Sequence, residues 1–382
     1  MKRYGNLYNQ IISRENLRTA LRNACRSNGR SSPAKRKAVT SARANPEAFV
    51  DRMEAILTGE YKTSPYACFP LFDPKLRFIY ALPFFPDRVA HHALINVLEP
   101  LWDGLMFTAS YACRKGKGQH LAGNSCAKYT RQYRYVAQFD VAQFYVSINH
   151  EILKSLIRRK IKDVKVLTIL DEIIDSISTR DKNLEILYGM RDAGSKSPDV
   201  AKEIAKLEAS KERDCGASAG LPIGSYTSQW FGNLYMNEVD TFLKQDLRCK
   251  AVVRYCDDFL VFDDDKHRLA EIKAAVKDFM WNRLHLMLSK AEVFPTSHGV
   301  DFCGYRYFTK GYVLLRRRTA RSQARDIREI REGFRNGTMP FDEARARLAS
   351  LDGWMRWAQC HNWKKTHGYY ELRNEVLNGT VQ

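Results

Sequence analysis

Two adjacent aspartates interrupt an apolar stretch of the sequence. Asp257 and Asp258 lie within VVRYCDDFLVF, residues 252–262, whose other members are mostly the β-branched and aromatic residues that buried strands favour. Burying two neighbouring carboxylates is costly, because each loses its hydration and each repels the other. The pair is tolerable where the chain turns and both side chains leave the sheet. The stretch therefore predicts a β-hairpin whose turn lies at Cys256–Asp258.

A second predicted strand carries another carboxylate. Residues 133–148, YRYVAQFDVAQFYVSI, predict a strand followed by a tight turn, and Asp140 lies near the strand's end. If both strands share a sheet, three carboxylates can meet at one point, where they repel one another unless cations are present. Oxygen ligands of this charge suit Mg²⁺, and a pair of such ions promotes in-line phosphoryl transfer. For Asp257-Asp258 alone a plain Asp-rich turn remains an alternative, and Asp263–Asp265 is expected to be one.

The charge of the chain indicates a polyanionic partner. The formal net charge is +19, which favours nucleic acid over the alternative of a merely soluble basic protein. Residues 1–63 hold 13 Lys and Arg against 5 Asp and Glu, and residues 311–382 hold 14 against 8. Both ends are therefore expected to bind a phosphate backbone around an acidic site.

Several classes of protein are disfavoured by composition. The sequence has no run of about 18 apolar residues, so a membrane span is not expected. The N-terminus lacks the apolar region of a secretory signal. Nine cysteines are scattered without CxxC spacing, which indicates free thiols and supports neither a zinc site nor a disulfide framework. These features predict a cytoplasmic protein with no membrane partner.

The remaining pattern predicts an α+β fold, with helical ends around a small antiparallel sheet. Ser27–Val39 is basic and rich in turn formers, so a linker is expected. Residues 180–215 are highly polar, so a surface insertion with one charged helix is expected. From Thr319 onward the pattern is helical, with breaks at residues 336–340 and at Asp352-Gly353. Further helices are predicted over residues 6–26, 46–58, 88–101, 150–178 and 269–286, and a further strand over residues 77–82.

The motifs in this order resemble those of reverse transcriptases, specifically the bacterial lineage near group II intron and diversity-generating retroelement enzymes. YCDD, residues 255–258, matches the YxDD box, and FDVAQFY, residues 139–145, matches the motif before it. LPIGSYTSQWFGNLY, residues 221–235, matches the glycine-containing motif in the IGxxxSQ form that is typical of diversity-generating retroelements. The finger motifs and the two motifs after YxDD match residues 73–100, 110–122, 288–294 and 301–308.

The resemblance implies a right-hand polymerase with fingers, an antiparallel-sheet palm and a helical thumb. The expected segments are a basic helical N-terminal extension (1–60), fingers interleaved with the palm (61–135), the palm (136–310) with its polar insertion (180–215), and the thumb (311–382).

The resemblance also implies roles for individual residues around the carboxylates. Asp140, Asp257 and Asp258 would hold two Mg²⁺ ions, with the backbone carbonyl of Val141 as a further ligand. Lys290 would act as a general acid towards pyrophosphate, the alternative being a surface lysine.

A second set of residues would bind the incoming deoxynucleotide. Lys75 and Arg77 would hold its triphosphate, the alternative being a solvated turn pair. Tyr145 would exclude a 2′-hydroxyl from the sugar site, the alternative being ordinary core packing. Gly224 would permit close approach of the backbone to the nascent base pair, with Ile223 and Gln229 near the template base or deoxynucleotide.

A third set would contact nucleic acid. Arg114, Lys115 and Lys117 alternate with glycines, which suggests binding of a phosphate backbone, although a basic surface turn is the alternative. Phe302 and Gly304 belong to FCGY, which resembles the primer grip.

The activity that the resemblance implies is copying of RNA into DNA from dNTPs, with a cognate structured non-coding RNA and, in a diversity-generating retroelement, a small accessory protein. Val146 replaces the usual proline after the first aspartate motif, and the chain from Asp140 to Gly224 is longer than expected. These two features keep open an antiphage enzyme that copies a co-encoded non-coding RNA. A non-catalytic nucleic-acid binder is disfavoured because the carboxylates are intact. An RNA-copying RNA polymerase is disfavoured because Tyr145 stands where a small residue is needed.

Overall fold

The computed structural model describes residues 3–26, 32–72, 76–194 and 197–378. The helices are α1 Tyr8–Ile11, α2 Arg14–Cys25, α3 Pro33–Ala44, α4 Pro46–Thr58, α5 Val89–Asp103, α6 Gln119–Gln132, α7 Phe144–Ser147, α8 His150–Arg158, α9 Val164–Asp175, α10 Thr179–Asp192, α11 Pro198–Arg213, α12 Tyr226–Thr241, α13 Lys266–Leu284, α14 Arg317–Arg335, α15 Phe341–Met355, α16 His361–Thr366 and α17 Tyr369–Asn378. The strands are β1 Ala67–Phe72, β2 Leu76–Ala81, β3 Tyr135–Val141, β4 Ala251–Tyr255, β5 Asp258–Asp263, β6 Leu288–Pro295, β7 Val300–Phe302, β8 Tyr305–Tyr307 and β9 Val313–Leu315.

The chain divides into two compact units. Unit 1 consists of Met1–Thr108, Val141–Asp246 and Ala275–Lys290. Unit 2 consists of Ala109–Asp140, Leu247–Ala274 and Ala291–Gln382. The mixture of helices and sheets agrees with the predicted α+β class. In the parts of the chain that the structure describes, no helix is both long and apolar enough to cross a membrane.

Unit 1 begins with helices whose starts are set by capping residues. Asn45 accepts a hydrogen bond from the backbone N–H of Ala48, Pro46 occupies the first turn, and α4 ends before Gly59, which confirms the helix predicted over residues 46–58. The linker predicted over Ser27–Val39 is wrong from Pro33 onward, because α3 starts there. Residues 27–31 of that linker lie outside the described residues.

The sequence prediction missed the start of α3 because the segment around it is polar. Ser32 accepts a hydrogen bond from the backbone N–H of Lys35, and Pro33 occupies the first turn. The sequence contains this start signal, but the basic and turn-forming residues around it favoured a linker. Burial of Ala42 on one side of the helix shows that α3 is packed onto its neighbours.

The polar segment 180–215 does not form a single charged helix, so that part of its prediction is wrong. It forms two helices, α10 and α11, and they share a hydrophobic core with strand β2. The core contains Phe78, Tyr80, Leu184, Leu187, Val200, Ile204 and Leu207. The spacing of Val200, Ile204 and Leu207 places them on one helix face, which the high charge of the segment obscured.

Unit 2 contains the predicted hairpin within a four-stranded sheet of order β4-β5-β3-β6. Strand β5 is antiparallel to both β4 and β3, and this central position explains why its residues are buried on both faces. A second sheet has the order β7-β8-β9. Helix α6 covers these strands through Ala122 and Cys126, which pack in one core with Val253, Leu260 and Phe302.

The C-terminal helices of unit 2 have a core of their own. Ile327 and Ile330 of α14 pack with Leu348 of α15 and with Leu372 and Val376 of α17. The break predicted between residues 336 and 340 is confirmed, since α14 ends at Arg335 and α15 begins at Phe341. The break predicted at Asp352-Gly353 is wrong. Buried neighbours on α15 outweigh the cost of about 1 kcal/mol for a glycine within a helix.

Candidate active site

Unit 2 places two of the predicted carboxylates opposite each other. Asp140 on β3 is the cross-strand partner of Asp258 on β5, so both side chains leave the same face of the sheet. Tyr255 pairs with Asp258 across the hairpin, which leaves Cys256 and Asp257 as the two loop residues. Cys256 has a φ of 58°, in the left-handed region that only a tight turn requires of such a residue. The loop therefore carries the third carboxylate, Asp257, next to the first two.

The electrostatics of Asp258 reflect this crowding. Burial raises the pKa of its carboxyl to about 7, and the negative charges of Asp140 and Asp257 act in the same direction. A hydrogen bond from Gln138 and the positive charge of Arg316 offset part of the rise. The Oδ1 atom of Asp258 is buried and has no hydrogen-bond partner. The site therefore favours a proton, or another cation, on Asp258 near neutral pH.

These residues fit a hard divalent cation. A buried, unpartnered carboxylate oxygen opposite a second carboxylate is an oxygen donor set of the kind that Mg²⁺ uses. In the ranges that the structure describes, no group of three or more His, Cys, Asp or Glu side chains is already arranged to hold a metal ion. A cation that takes only one or two protein carboxylates, and completes its shell with water or phosphate, matches this arrangement.

A buried arginine supports the hairpin turn. Arg254 on β4 is fully buried, and its Nη1 atom donates to the carbonyl oxygen of Cys256 at 2.9 Å. Its backbone N–H donates to the carbonyl oxygen of Ala109 at 2.8 Å, and its carbonyl oxygen accepts from Tyr111 at 3.0 Å. Sequence reasoning missed this role, although a lone arginine in an apolar strand was a signal for it.

The basic glycine-bearing loop lies beside the same strand. Gly118 donates its backbone N–H to the carbonyl oxygen of Tyr111, which is itself bonded to Arg254. Arg114 donates to the carbonyl oxygen of Ser110 at 3.0 Å, and the Nζ atom of Lys117 lies 5.0 Å from the ring centre of Tyr111. Lys115 is exposed. The three cations thus belong to the unit that carries the carboxylates.

The FCGY segment forms the tight turn between β7 and β8. Phe302 pairs with Tyr305, and the loop residues Cys303 and Gly304 have φ values of 46° and 86°, as a two-residue hairpin loop requires. The ring of Phe302 is fully buried in the core. A Cβ atom on Gly304 would lie 2.6 Å from the ring of Trp354, so this position needs glycine for space as well as for conformation.

Unit 1 connects the segments of three predicted nucleotide-binding residues, namely Tyr145, Ile223 and Gly224. The backbone N–H of Tyr80 donates to the carbonyl oxygen of Ile223 at 2.9 Å, and that of Leu221 donates to the carbonyl oxygen of Tyr145 at 2.8 Å. Gly224 has a φ of 115°, and a Cβ atom there would lie 2.8 Å from the carbonyl oxygen of Tyr80. The backbone at Gly224 therefore lies close to strand β2, and the approach to the nascent base pair that the resemblance implies stays a prediction.

Two further residues of this set lie on the same unit. Arg77 is exposed on β2, and Gln229 is exposed on α12. Lys75 lies outside the described residues. Val141 is buried at the end of β3, and Lys290 is half-buried on β6.

Comparison with known proteins identifies the family. The sequence model of the family described as "Reverse transcriptase (RNA-dependent DNA polymerase)" matches residues 72–307. The chain belongs to the reverse transcriptase family. All the site residues predicted from the sequence fall within the matched range. The enzyme is therefore an RNA-directed DNA polymerase, which takes an RNA template and dNTPs, and its family implies the polymerase fold of fingers, palm and thumb.

Two curated relatives are similar to this reverse transcriptase at low identity. Protein YkfC of Escherichia coli (strain K12) is 24% identical over 341 residues, which covers 78% of this chain and 77% of that protein. Nuclear intron maturase 1, mitochondrial, of Arabidopsis thaliana is 25% identical over 89 residues, or 23% of this chain and 12% of that protein.

Tyr145 of the reverse transcriptase follows a strained turn. Gln143 has a φ of 47°, and its carbonyl oxygen accepts hydrogen bonds from Val146 at 3.1 Å and Ser147 at 3.0 Å. A Cβ atom on Gly232 of α12 would lie 3.3 Å from the ring of Tyr145, so the absence of a side chain there gives the ring its space. The ring is half-buried.

Proposed function

We propose that this reverse transcriptase copies a cognate structured non-coding RNA into DNA with two Mg²⁺ ions held by Asp140, Asp257 and Asp258. The observation that supports the metal site is the pairing of Asp140 with Asp258, together with the buried and unpartnered Oδ1 atom of Asp258. Bound Mg²⁺ would activate the primer hydroxyl and neutralise charge on the reacting phosphates. The backbone carbonyl of Val141 is proposed as a further ligand.

The other catalytic contributions come from the chain. Lys290 supplies a proton to the leaving pyrophosphate. Arg77, with Lys75, holds the triphosphate by charge-assisted hydrogen bonds. Tyr145 selects deoxynucleotides because its ring leaves no room for a 2′-hydroxyl. Its half-buried position and the fixed turn before it favour this role.

Binding of nucleic acid is assigned to surfaces in both units. Gly224 and Ile223 adjoin the nascent base pair together with Gln229, and the fixed backbone around Gly224 supports a rigid platform there.

In unit 2, Arg114, Lys115 and Lys117 bind the phosphate backbone. The hairpin of Phe302 and Gly304 supports the primer end through its backbone, since the ring of Phe302 is buried. The segments proposed for the fingers, palm and thumb remain those predicted from the sequence.

The biological setting that we propose is a diversity-generating retroelement with a small accessory protein. It is supported by the IGxxxSQ form of the glycine motif, in which Ile223 stands where most relatives have glutamine. Looser control of the nascent pair would then produce errors opposite template adenines. The second candidate is an antiphage enzyme that copies a co-encoded RNA, which Val146 and the helical pair α10–α11 favour.

Two experiments test these proposals. The first is primer extension on an RNA template with dNTPs or NTPs, in the presence of Mg²⁺ or EDTA. Product should form only with dNTPs and Mg²⁺. Incorporation of NTPs at a similar rate would contradict the role of Tyr145.

The second experiment is sequencing of the RNA and DNA that copurify with the protein, which separates the two biological settings. Adenine-directed changes in DNA copied from a template repeat support the retroelement, whereas accurate copies of a non-coding RNA support the antiphage enzyme.

A further inference from the structure

The helical pair α10–α11 contacts the nucleotide-binding segments of unit 1 at three places. It packs under strand β2, it hydrogen-bonds the turn before Tyr145, and it abuts the loop that leads to Gly224. Each contact joins a side chain or a backbone group of the pair to a residue within a few positions of one of the proposed nucleotide-binding residues. The pair is thus attached to the substrate site of unit 1.

The first attachment is at the turn before Tyr145. Gln143 donates from Nε2 to the Oε1 atom of Glu203 on α11. Because Gln143 has a φ of 47°, its backbone is in a conformation that costs free energy unless the surroundings hold it. Glu203 also forms an ion pair with Lys206, one turn along the same helix. Glu203 therefore restrains the conformation of the turn that positions the ring of Tyr145.

The second attachment is at strand β2. The hydroxyl of Tyr80 donates to the Oδ1 atom of Asn183 on α10 at 2.5 Å, and both residues are buried. The backbone of Tyr80 is bonded to Ile223, and its carbonyl oxygen lies against Gly224. The hydrogen bond from Tyr80 to Asn183 therefore fixes the backbone that faces the glycine motif.

The third attachment is at the first turn of α10. Arg180 donates its backbone N–H to the carbonyl oxygen of Ala219 at 3.3 Å, and a Cβ atom on Gly220 would lie 2.9 Å from that nitrogen. The side chain of Arg180 forms a fully buried ion pair with Asp214, which follows α11. Asp214 also bonds His285 at 2.9 Å. This ion pair joins the two ends of the helical pair next to the loop at Gly220.

We infer that α10–α11 is a positioning element for deoxynucleotide selection, in which Glu203 and Asn183 hold Tyr145 and the Gly224 loop in place. The inference rests on the proposed role of Tyr145 as the sugar filter. It assigns a function to a segment whose charge alone indicated a solvated surface. Glu203 and Asn183 act through Gln143 and Tyr80 and are positioning residues, not catalytic ones.

Substitution of Glu203 tests the first attachment. Glu203→Ala removes the acceptor of Gln143, whereas Glu203→Gln keeps an acceptor oxygen at the same place. Glu208→Ala is a matched control, because Glu208 of α11 accepts a hydrogen bond from Tyr188 of α10 and does not contact the turn. Single-nucleotide incorporation gives KM and kcat for a dNTP and for the matching rNTP, and thermal melting reports stability.

The expected result is a loss of sugar discrimination in Glu203→Ala of about fivefold, the effect of losing one hydrogen bond. The loss should come mainly from a lowered KM for the rNTP, because a less restrained Tyr145 ring leaves room for the 2′-hydroxyl. Glu203→Gln should restore discrimination, and Glu208→Ala should leave it unchanged. Unchanged discrimination in Glu203→Ala, or an equal loss in Glu208→Ala, would overturn the inference. Equal use of rNTPs and dNTPs by the unsubstituted enzyme would instead contradict the proposed role of Tyr145.

Substitution of Tyr80 tests the second attachment independently. Tyr80→Phe removes the donor to Asn183 while the ring stays in the core. Tyr66→Phe is its control, since the hydroxyl of Tyr66 bonds Ser176 at 3.1 Å and does not contact Asn183. Tyr80→Phe should raise the KM for the dNTP several-fold at an unchanged kcat, and Tyr66→Phe should not. Identical kinetics for the two variants would remove Asn183 from the inference.

Discussion

The guanidinium of Arg254 donates a hydrogen bond from Nη1 to the carbonyl oxygen of Cys256, one residue before the aspartate doublet. Arg254 is fully buried, and its backbone is bonded to Ala109 and Tyr111. The turn that carries Asp257 is therefore held by a side chain from inside the sheet. A rigid loop at this point matters, because catalytic carboxylates lose efficiency when they are displaced by as little as about 1 Å.

Arg254→Met should lower primer-extension activity by at least about tenfold, since losing a hydrogen bond from a charged donor costs about 1.5–3 kcal/mol. Stability should fall as well, because the carbonyl oxygen of Cys256 loses the donor that Arg254 provides. Arg248→Met, which removes an exposed arginine just before β4, is the control for lost charge. Primer-extension activities of both variants are measured at one ionic strength. An equal loss of activity in Arg254→Met and Arg248→Met would contradict the prediction.

Asp258→Asn should abolish DNA synthesis and raise the melting temperature of the metal-free protein. The amide removes a buried charge that Asp140 and Asp257 repel. Mg²⁺ should raise the melting temperature of the unsubstituted protein and have little effect on the variant. Asp263→Asn, at the other end of β5 and 3.4 Å from Arg268, is the control and should keep its activity. A metal-free variant that melts lower than the unsubstituted protein would count against the electrostatic explanation.

Gly304→Ala should destabilise unit 2 by about 2–4 kcal/mol, because a left-handed alanine and an overpacked ring each cost about 1–2 kcal/mol or more. The added Cβ would meet Trp354 at 2.6 Å, at a φ of 86°. Gly116→Ala separates the two costs, since Gly116 has a φ of 68° and no atom within 4 Å of an added Cβ. Urea unfolding should show a larger loss in the free energy of unfolding for Gly304→Ala than for Gly116→Ala. Equal losses would exclude the contact with Trp354 as a source of destabilisation.

Asp214→Ala should destabilise unit 1 by about 3–5 kcal/mol, because it leaves Arg180 buried without its ion-pair partner. Both members of this pair are fully buried. Glu185→Ala breaks the exposed pair between Lys182 and Glu185 on the same helical pair and should cost less than about 1 kcal/mol. Denaturant titration compares the free energies of unfolding of the two variants. A small loss of stability in Asp214→Ala would mean that water or another group forms hydrogen bonds with Arg180 in place of Asp214.

The site could be predicted from the sequence as far as its motifs are local. The aspartate doublet at a hairpin loop and the strand that ends near Asp140 are both found in the structure. Each of these features is encoded within about ten residues. The roles of the residues in chemistry remain predictions from the family resemblance.

The supporting residues could not be predicted, because their partners are far away along the chain. Gln138, Glu203 and Asn183 each looked like an ordinary polar residue in its own segment, and the lone Arg254 in its apolar strand did not reveal its partner. Their importance comes from burial beside a particular neighbour, and burial of a polar group is costly unless that neighbour is present. A local pattern does not specify which distant neighbour it will be.

The sequence by itself determined the α+β class, the hairpin at the aspartate doublet and the family. Apolar residues that repeat every 2 or 3.6 positions indicate strands and helices, and the order of the motifs indicates the family, so both can be recognised without the structure. The tertiary structure alone decided that Asp140 faces Asp258, that Arg254 holds the turn, and that the charged segment 180–215 is two packed helices. Strand register and helix packing depend on the summed free energy of many contacts between distant residues, so no single segment contains them.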